Sequence, residues 1–222
     1  MVRSNASIDA EEIEILSVRL RALGELGARP AWGRASASYD HLGAKLADAV
    51  LQSGVGYEAF VRKRVERVAS EYASWRTASS FQAILRREGA PKVLRLVGGR
   101  KLRTIEELTE FCVAERIETA ADLRAWLQVA GNPAKLRTVH GVGPKTISFL
   151  KLLVGLDAIA VDMHIRRFVI EAGLELRDPE RVEALLLAAG QAIGLSGSQV
   201  DELVWRSMAA RPRKARVTKA AT

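Results

Sequence analysis

The chain has 222 residues, 48% of them apolar, with 34 Lys and Arg against 26 Asp and Glu. That is enough for a packed core in one sizeable domain or two small ones sharing a core, and it excludes wholesale disorder. No apolar run approaches the roughly 20 residues of a membrane span, and the first residues turn acidic without an apolar leader segment, so a cytoplasmic, nucleoid-associated location is the expectation.

The net charge of +8 points to a polyanionic partner, but the charge is unevenly spread. The last 17 residues hold six Lys or Arg and no acid, which leaves the rest of the chain close to neutral. Residues 211–222 therefore read as a basic, disordered arm attracted to phosphates. The one cysteine, Cys112, excludes an intramolecular disulfide and any four-cysteine zinc or iron–sulfur site. It stands beside Phe111 at helical spacing from Leu108, the pattern of a buried structural thiol.

Helical period dominates from end to end, and no strand is predicted. Asp9 with Glu12 reads as a capping box ahead of Ile13, Leu16, Leu20 and Leu23, with Gly24 and Gly27 as stops. Residues 29–38 form a loop. A helix over 39–53 carries Leu42, Leu46 and Val50, and the next carries Phe60, Val61, Val65, Val68 and Tyr72 with a basic polar side. Shorter helices follow near 79–88 and 91–97. Thr104 with Glu107 caps another, and Thr119 opens one more. Asn132-Pro133 is a start signal, with Asn as N-cap and Pro at the first helical position. Pro144 suits the same position in a second helix, Asp162 precedes a third, Asp178-Pro179 starts a fourth, and residues 198–210 make the last. Trp32, Trp75 and Trp126 read as core, and His41 has no partner visible in sequence.

The most informative stretch is LRTVHGVGPKTISFL, residues 136–150. Helix, Gly141-Val142-Gly143, helix is a tight hairpin. Glycine is needed there for positive φ or for close approach of another molecule. Amide groups at the head of the following helix are suited to hold a phosphate, which makes such a hairpin a sequence-independent grip on a DNA backbone. A P-loop is excluded, because Pro144 separates Gly143 from Lys145 and no strand precedes. A simple packing corner remains the competing reading of this stretch alone. Asp162, in AVDMHIRR, follows Lys145 by 17 residues.

The pair LRTVHGVGPKT and AVDMHIRR resembles the helix–hairpin–helix (HhH-GPD) DNA glycosylase superfamily, and within it the endonuclease III branch. The likeness is dense over residues 136–170 and looser back to about 40 and on to about 208. The branch's iron–sulfur cysteines are missing, and His140 stands where proline is usual. The resemblance implies an all-α, two-lobed fold with a DNA-binding cleft between the lobes. One lobe would span 41–160, with the hairpin at 132–155. The other would combine 1–40 with 161–210.

It also implies a base-excision-repair glycosylase with AP lyase activity that removes a damaged, oxidised base from duplex DNA. Lys145 would be the Schiff-base nucleophile, and Asp162 the carboxylate that takes its proton and stabilises charge on the sugar. Gly141, Gly143, Thr146, His140 and Arg166 would contact DNA, and Gln52 would fill the gap left by a flipped base. No cofactor is required, and no iron–sulfur cluster is expected. K⁺ or Na⁺ on the carbonyls of Arg137, Val139 and Val142 is implied, as is a monomer with no membrane partner. Each residue also has a plainer reading. Asp162 serves as a helix cap, Lys145 as a phosphate contact, Gln52 as a helix-terminal glutamine, and His164 is structural or phosphate-facing rather than a base. The alternatives are a monofunctional glycosylase that uses Asp162 to activate water, and a non-catalytic DNA-binding module.

Overall fold

The computed structural model describes residues 9–25, 39–52 and 54–209. The basic tail at 211–222, Gly27 and Trp32 lie outside the described residues. Among these residues there are twelve α-helices and no strand, so the all-α expectation holds. They are α1 (Ala10–Glu25), α2 (Leu42–Leu51), α3 (Lys63–Glu71), α4 (Ala78–Glu88), α5 (Ala90–Leu94), α6 (Arg100–Ala114), α7 (Ala120–Gln128), α8 (Asn132–Lys135), α9 (Pro144–Leu153), α10 (Met163–Glu171), α11 (Pro179–Ala192) and α12 (Gly197–Ala209). A π turn over Tyr57–Arg62 leads into α3, and 3₁₀ turns lie at Ala73–Trp75 and Leu136–Thr138. No described helix is long and apolar enough to cross a membrane.

The apolar side chains gather into two cores. One runs from Leu42 to Ala160 and centres on α2, α4, α6 and α9. The other joins Leu16, Leu20 and Leu23 of α1 to α10, α11 and α12. The segment between α9 and α10 belongs to both. Ala158 and Ala160 enter the first core, and Ile159 and Val161 enter the second. That is the two-sided alternation of non-helical chain. The sequence reads this stretch only as an apolar linker.

Several helix starts follow their caps. Thr119 with Asp122 makes a reciprocal capping box for α7, Thr77 with Ser80 does so for α4, and Asp178 caps α11. Other starts differ from the sequence reading. Thr104 lies inside α6, because that helix begins a turn earlier, after Gly99. Its hydroxyl donates to the Arg100 carbonyl at 3.0 Å. Asn132 is the first residue of α8 rather than its cap, and Gly131 holds the cap position at φ 85°. At α1, Asp9 accepts from the Glu11 amide, while Glu12 accepts from Arg181 of α11 at 2.8 Å.

Helix α2 is buried along its whole length, so its polar stripe is internal as well. His41 caps it through Nδ1 and meets the Tyr72 carbonyl through Nε2 at 3.2 Å. Lys45 donates to the Leu153 carbonyl at 2.9 Å, and the Asp48 carboxylate accepts from the hydroxyls of Tyr39 and Tyr57. Burial, and then the Asp48 charge, hold both phenols above their ordinary range. Cys112 is fully buried in α6, and that burial pushes its thiol up to about 12.

Burial also holds the His41 imidazole below its usual value. The unfolded chain then binds a proton first, so stability falls as pH drops below about 6.5. His41→Asn keeps a capping side chain and should flatten a thermal-unfolding series on the acid side of pH 6.5.

Candidate active site

The hairpin is built from α8, its 3₁₀ extension and α9. Leu136, Val139 and Val142 are buried in the first core, so the turn is anchored from below. Gly141 has φ 83°, and a Cβ there would lie 2.6 Å from the Thr104 hydroxyl. Both reasons for glycine apply at Gly141, and the close neighbour is α6 of the same chain. Gly143 differs. Its φ of −118° is open to any residue, and a Cβ there would meet nothing within 4 Å. Its surroundings leave room for a second molecule. The glycine caps α9 with no side-chain bond, and Pro144 follows at the first helical position.

Lys145 and Thr146 sit half-buried in the first turn of α9, where backbone amides and the helix dipole present positive charge. His140 is exposed, and its amide donates to Glu107 at 3.3 Å. The Val139 carbonyl already accepts from the Val142 amide at 3.1 Å, which uses one of its two lone pairs. The Arg137 side chain forms an ion pair with Glu180 of α11.

Asp162 caps α10. Its Oδ1 accepts from the amides of His164 at 2.8 Å and Ile165 at 3.1 Å. Capping thus uses one carboxylate oxygen, and a carboxylate has two. The approach to Asp162 is held by two acids of the second core. Glu183 accepts from the Ile159 amide at 3.2 Å and from the Ser148 hydroxyl of α9 at 2.7 Å. Asp201, 3% exposed, accepts from the Ala160 amide at 2.9 Å. The His164 ring packs edge-on against Trp205 of α12.

Other candidates are placed less simply. Arg166 donates to the Arg177 carbonyl at 3.0 Å, and Arg167 pairs with Glu171 at 2.8 Å, so both arginines brace the protein itself. Gln52 ends α2, is 7% exposed, and its Nε2 has no hydrogen-bond partner. A buried donor left unpaired costs about 1–3 kcal/mol.

Sequence reasoning missed the cluster of Lys101, Arg64 and Phe60 at the end of α2. The signal was available for Lys101, where Gly98-Gly99 is followed by Arg100-Lys101 at a helix start. It also missed the linker-holding roles of Glu183 and Asp201, which carry no local motif.

The model of a family described as a domain of unknown function (DUF8548) matches residues 18–209. The chain belongs to this family. No curated protein matches it. Among solved structures, this DUF8548 chain is similar to an 8-oxoguanine glycosylase/lyase of Methanocaldococcus jannaschii, solved in complex with a 15mer DNA containing 8-oxoguanine. The identity is 18%, the TM-score is 0.53, and the match covers 92% of this chain and 98% of that one. The two share a fold.

The two hairpin glycines should respond differently to alanine. Gly141→Ala imposes a strained φ and a clash, and should lower stability by about 1–3 kcal/mol. Gly143→Ala should stay within about 1 kcal/mol of the parent. Denaturant melts of both variants make the comparison.

Proposed function

We propose that this DUF8548 chain is a base-excision-repair DNA glycosylase with AP lyase activity, acting on an oxidised base in duplex DNA. One arrangement carries the reading. Lys145 stands in the first turn of α9 behind an open glycine turn, and Asp162 heads α10 on a braced linker, in a fold shared with a glycosylase/lyase.

The hairpin supplies the grip. The head of α9, with no side-chain cap, offers amides and a positive dipole end to a DNA phosphate, and the open side of Gly143 lets the backbone approach. Thr146 adds a hydroxyl, and His140 an exposed ring. A base must leave the stack before C1′ of its sugar can reach Lys145. The neutral amine of Lys145 attacks C1′, the glycosidic bond breaks, and the base departs with the bonding electrons and takes up a proton. Opening of the sugar ring, with cleavage of the C1′–O4′ bond and protonation of O4′, gives the protonated Schiff base, and removal of a C2′ proton then expels the 3′ phosphate by β-elimination and cleaves the strand. Asp162 accepts the lysine proton and stabilises positive charge developing on the sugar.

This chemistry needs no cofactor and no iron–sulfur cluster. Carbonyl oxygens of Arg137, Val139 and Val142 are hard donors suited to K⁺ or Na⁺, and such an ion would add positive charge at the phosphate grip. DNA lies across the face where the two cores meet, with the protein acting as a monomer. The candidate substrates are an oxidised pyrimidine, the expectation for the endonuclease III branch, and an oxidised purine such as the 8-oxoguanine in the neighbour's DNA.

Borohydride trapping tests the reading. Duplexes carrying an abasic site, thymine glycol, 8-oxoguanine or uracil are incubated with the protein and reduced. A covalent adduct is expected that Lys145→Gln abolishes. Asp162→Asn keeps the cap, and so should keep DNA affinity while slowing trapping by about 10²–10⁴-fold. Alkali-labile sites without an adduct would replace the lyase with a monofunctional enzyme. DNA binding with neither would leave only a binding module.

A further inference from the structure

A cleft of about 350 Å³ opens beside the last turn of α9. It is lined by Tyr39, Asp40, Lys45 of α2, Arg124 of α7, and Ala120 and Ala121 at the start of α7. Helix α9 has ten residues, so this cleft lies about 15 Å from the glycine turn at the helix head. Lys45 is only 5% exposed. Its ammonium donates to the Leu153 carbonyl at 2.9 Å and lies 4.9 Å from the centre of the Tyr39 ring. One of its three N–H donors is thus used, on an uncharged acceptor.

A buried charge ordinarily has a counter-charge. Among the described residues no carboxylate forms an ion pair with Lys45, and the residues outside them contain no Asp or Glu. Two carboxylates act on it from a distance. Asp48 accepts from the Tyr39 and Tyr57 hydroxyls, and Asp40 is exposed, 3.9 Å from Arg76. Arg124 adds a second positive charge to the cleft. Its Nη1 donates to the carbonyls of Val154 at 2.9 Å and Gly155 at 2.7 Å, and among the described residues its Nε and Nη2 groups are left for another acceptor. At the start of α7, Thr119 takes the Asp122 amide, and the Asp122 carboxylate folds back onto the amides of Glu118 and Thr119. The amides of Ala120 and Ala121 have no partner within the helix. Residues 26–38, which lead to Tyr39, hold Arg29 and Arg34 and no acid.

We propose that this cleft binds a phosphate group, with Lys45 and Arg124 as its charged contacts. A phosphate brings the missing counter-charge, and its oxygens accept several hydrogen bonds at once, which suits two cations with donors to give beside the open start of a helix. The site is separate from the grip proposed at the hairpin and does not depend on the glycosylase chemistry. Two sources carry such a group, a free phosphomonoester and the DNA backbone, and the test separates them.

The full chain is titrated, by ¹H–¹⁵N NMR, with inorganic phosphate, with 2′-deoxyadenosine 5′-monophosphate and its nucleoside, and with an undamaged DNA duplex. The phosphate and the nucleotide should move the amides of Ala120, Ala121 and Arg124, and the nucleoside should leave them in place. Arg124→Gln should weaken binding about tenfold. Ala121→Glu places a negative charge in the exposed first turn of α7, where it suits the helix, and should also weaken binding about tenfold. Asp40→Asn removes an exposed acid from the cleft and should tighten binding about two- to threefold. Shifts of the same amides by the duplex but by neither free probe, weakened by Ala121→Glu, would support the site with DNA as the source. Shifts confined to residues 143–146, no response of Ala120 and Ala121 to any probe, or affinities unchanged in all three variants would overturn the site. The first of those results would leave the hairpin grip standing, so the two readings fail separately.

Discussion

Residues 158–161 lie between two separately buried cores, and the placement of Asp162 depends on that seam. Ala158 and Ala160 fill one core while Ile159 and Val161 fill the other, so neither can shift along the chain by one residue without exposing an apolar set. The amides on this stretch would be costly to bury unpaired. Glu183 and Asp201 answer two of them, and Glu183 also reaches Ser148 on α9. The same contacts that close the seam therefore tie the helix carrying Lys145 to the segment that presents Asp162. The proposed site has its two groups on different helices and needs such bracing, because displacements of about an ångström are enough to cost reactivity.

The hairpin on the other side of the site is fixed by a different means. Its apolar residues sink into the first core, and Gly141 lets the turn close onto Thr104. Gly143 is free of such demands. The turn thus divides its two glycines between folding and access. One lets the protein pack against itself, and the other leaves the head of α9 approachable. Helix α2 underlies both. Its buried polar stripe joins the Leu153 carbonyl at the end of α9 through Lys45, and its last carbonyl receives Lys101. A helix buried on all sides needs partners for its polar residues, and the hydroxyls of Tyr39 and Tyr57 both donate to Asp48 Oδ2.

Much of this was legible in the sequence because it is local. Asp162 and Asp178 cap where the chain said they would, since an N-cap needs only its own next three residues. The hairpin was visible for the same reason, as two glycines and a proline within four positions. Thr104 shows how a local signal misleads. With Glu107 it has the pattern of a cap, yet α6 starts a turn earlier and the threonine becomes the surface on which Gly141 rests. Arg166 lies close to Asp162 in sequence and reads toward DNA. Its guanidinium instead donates to the Arg177 carbonyl in the loop after α10.

The sequence by itself determined the all-α class, several caps, the hairpin and the two candidate side chains, Lys145 and Asp162. Each of these is encoded by residue type at a spacing of a few positions. Only the tertiary structure decided which charges surround them. Lys101 and the Leu51 carbonyl that receives it are 50 positions apart and share no motif, and they meet because α2 packs against α6. Asp201 holds the amide of Ala160 across 41 positions for the same reason. Electrostatic and hydrogen-bond partners depend on distance in space, and no short-range periodicity carries that distance.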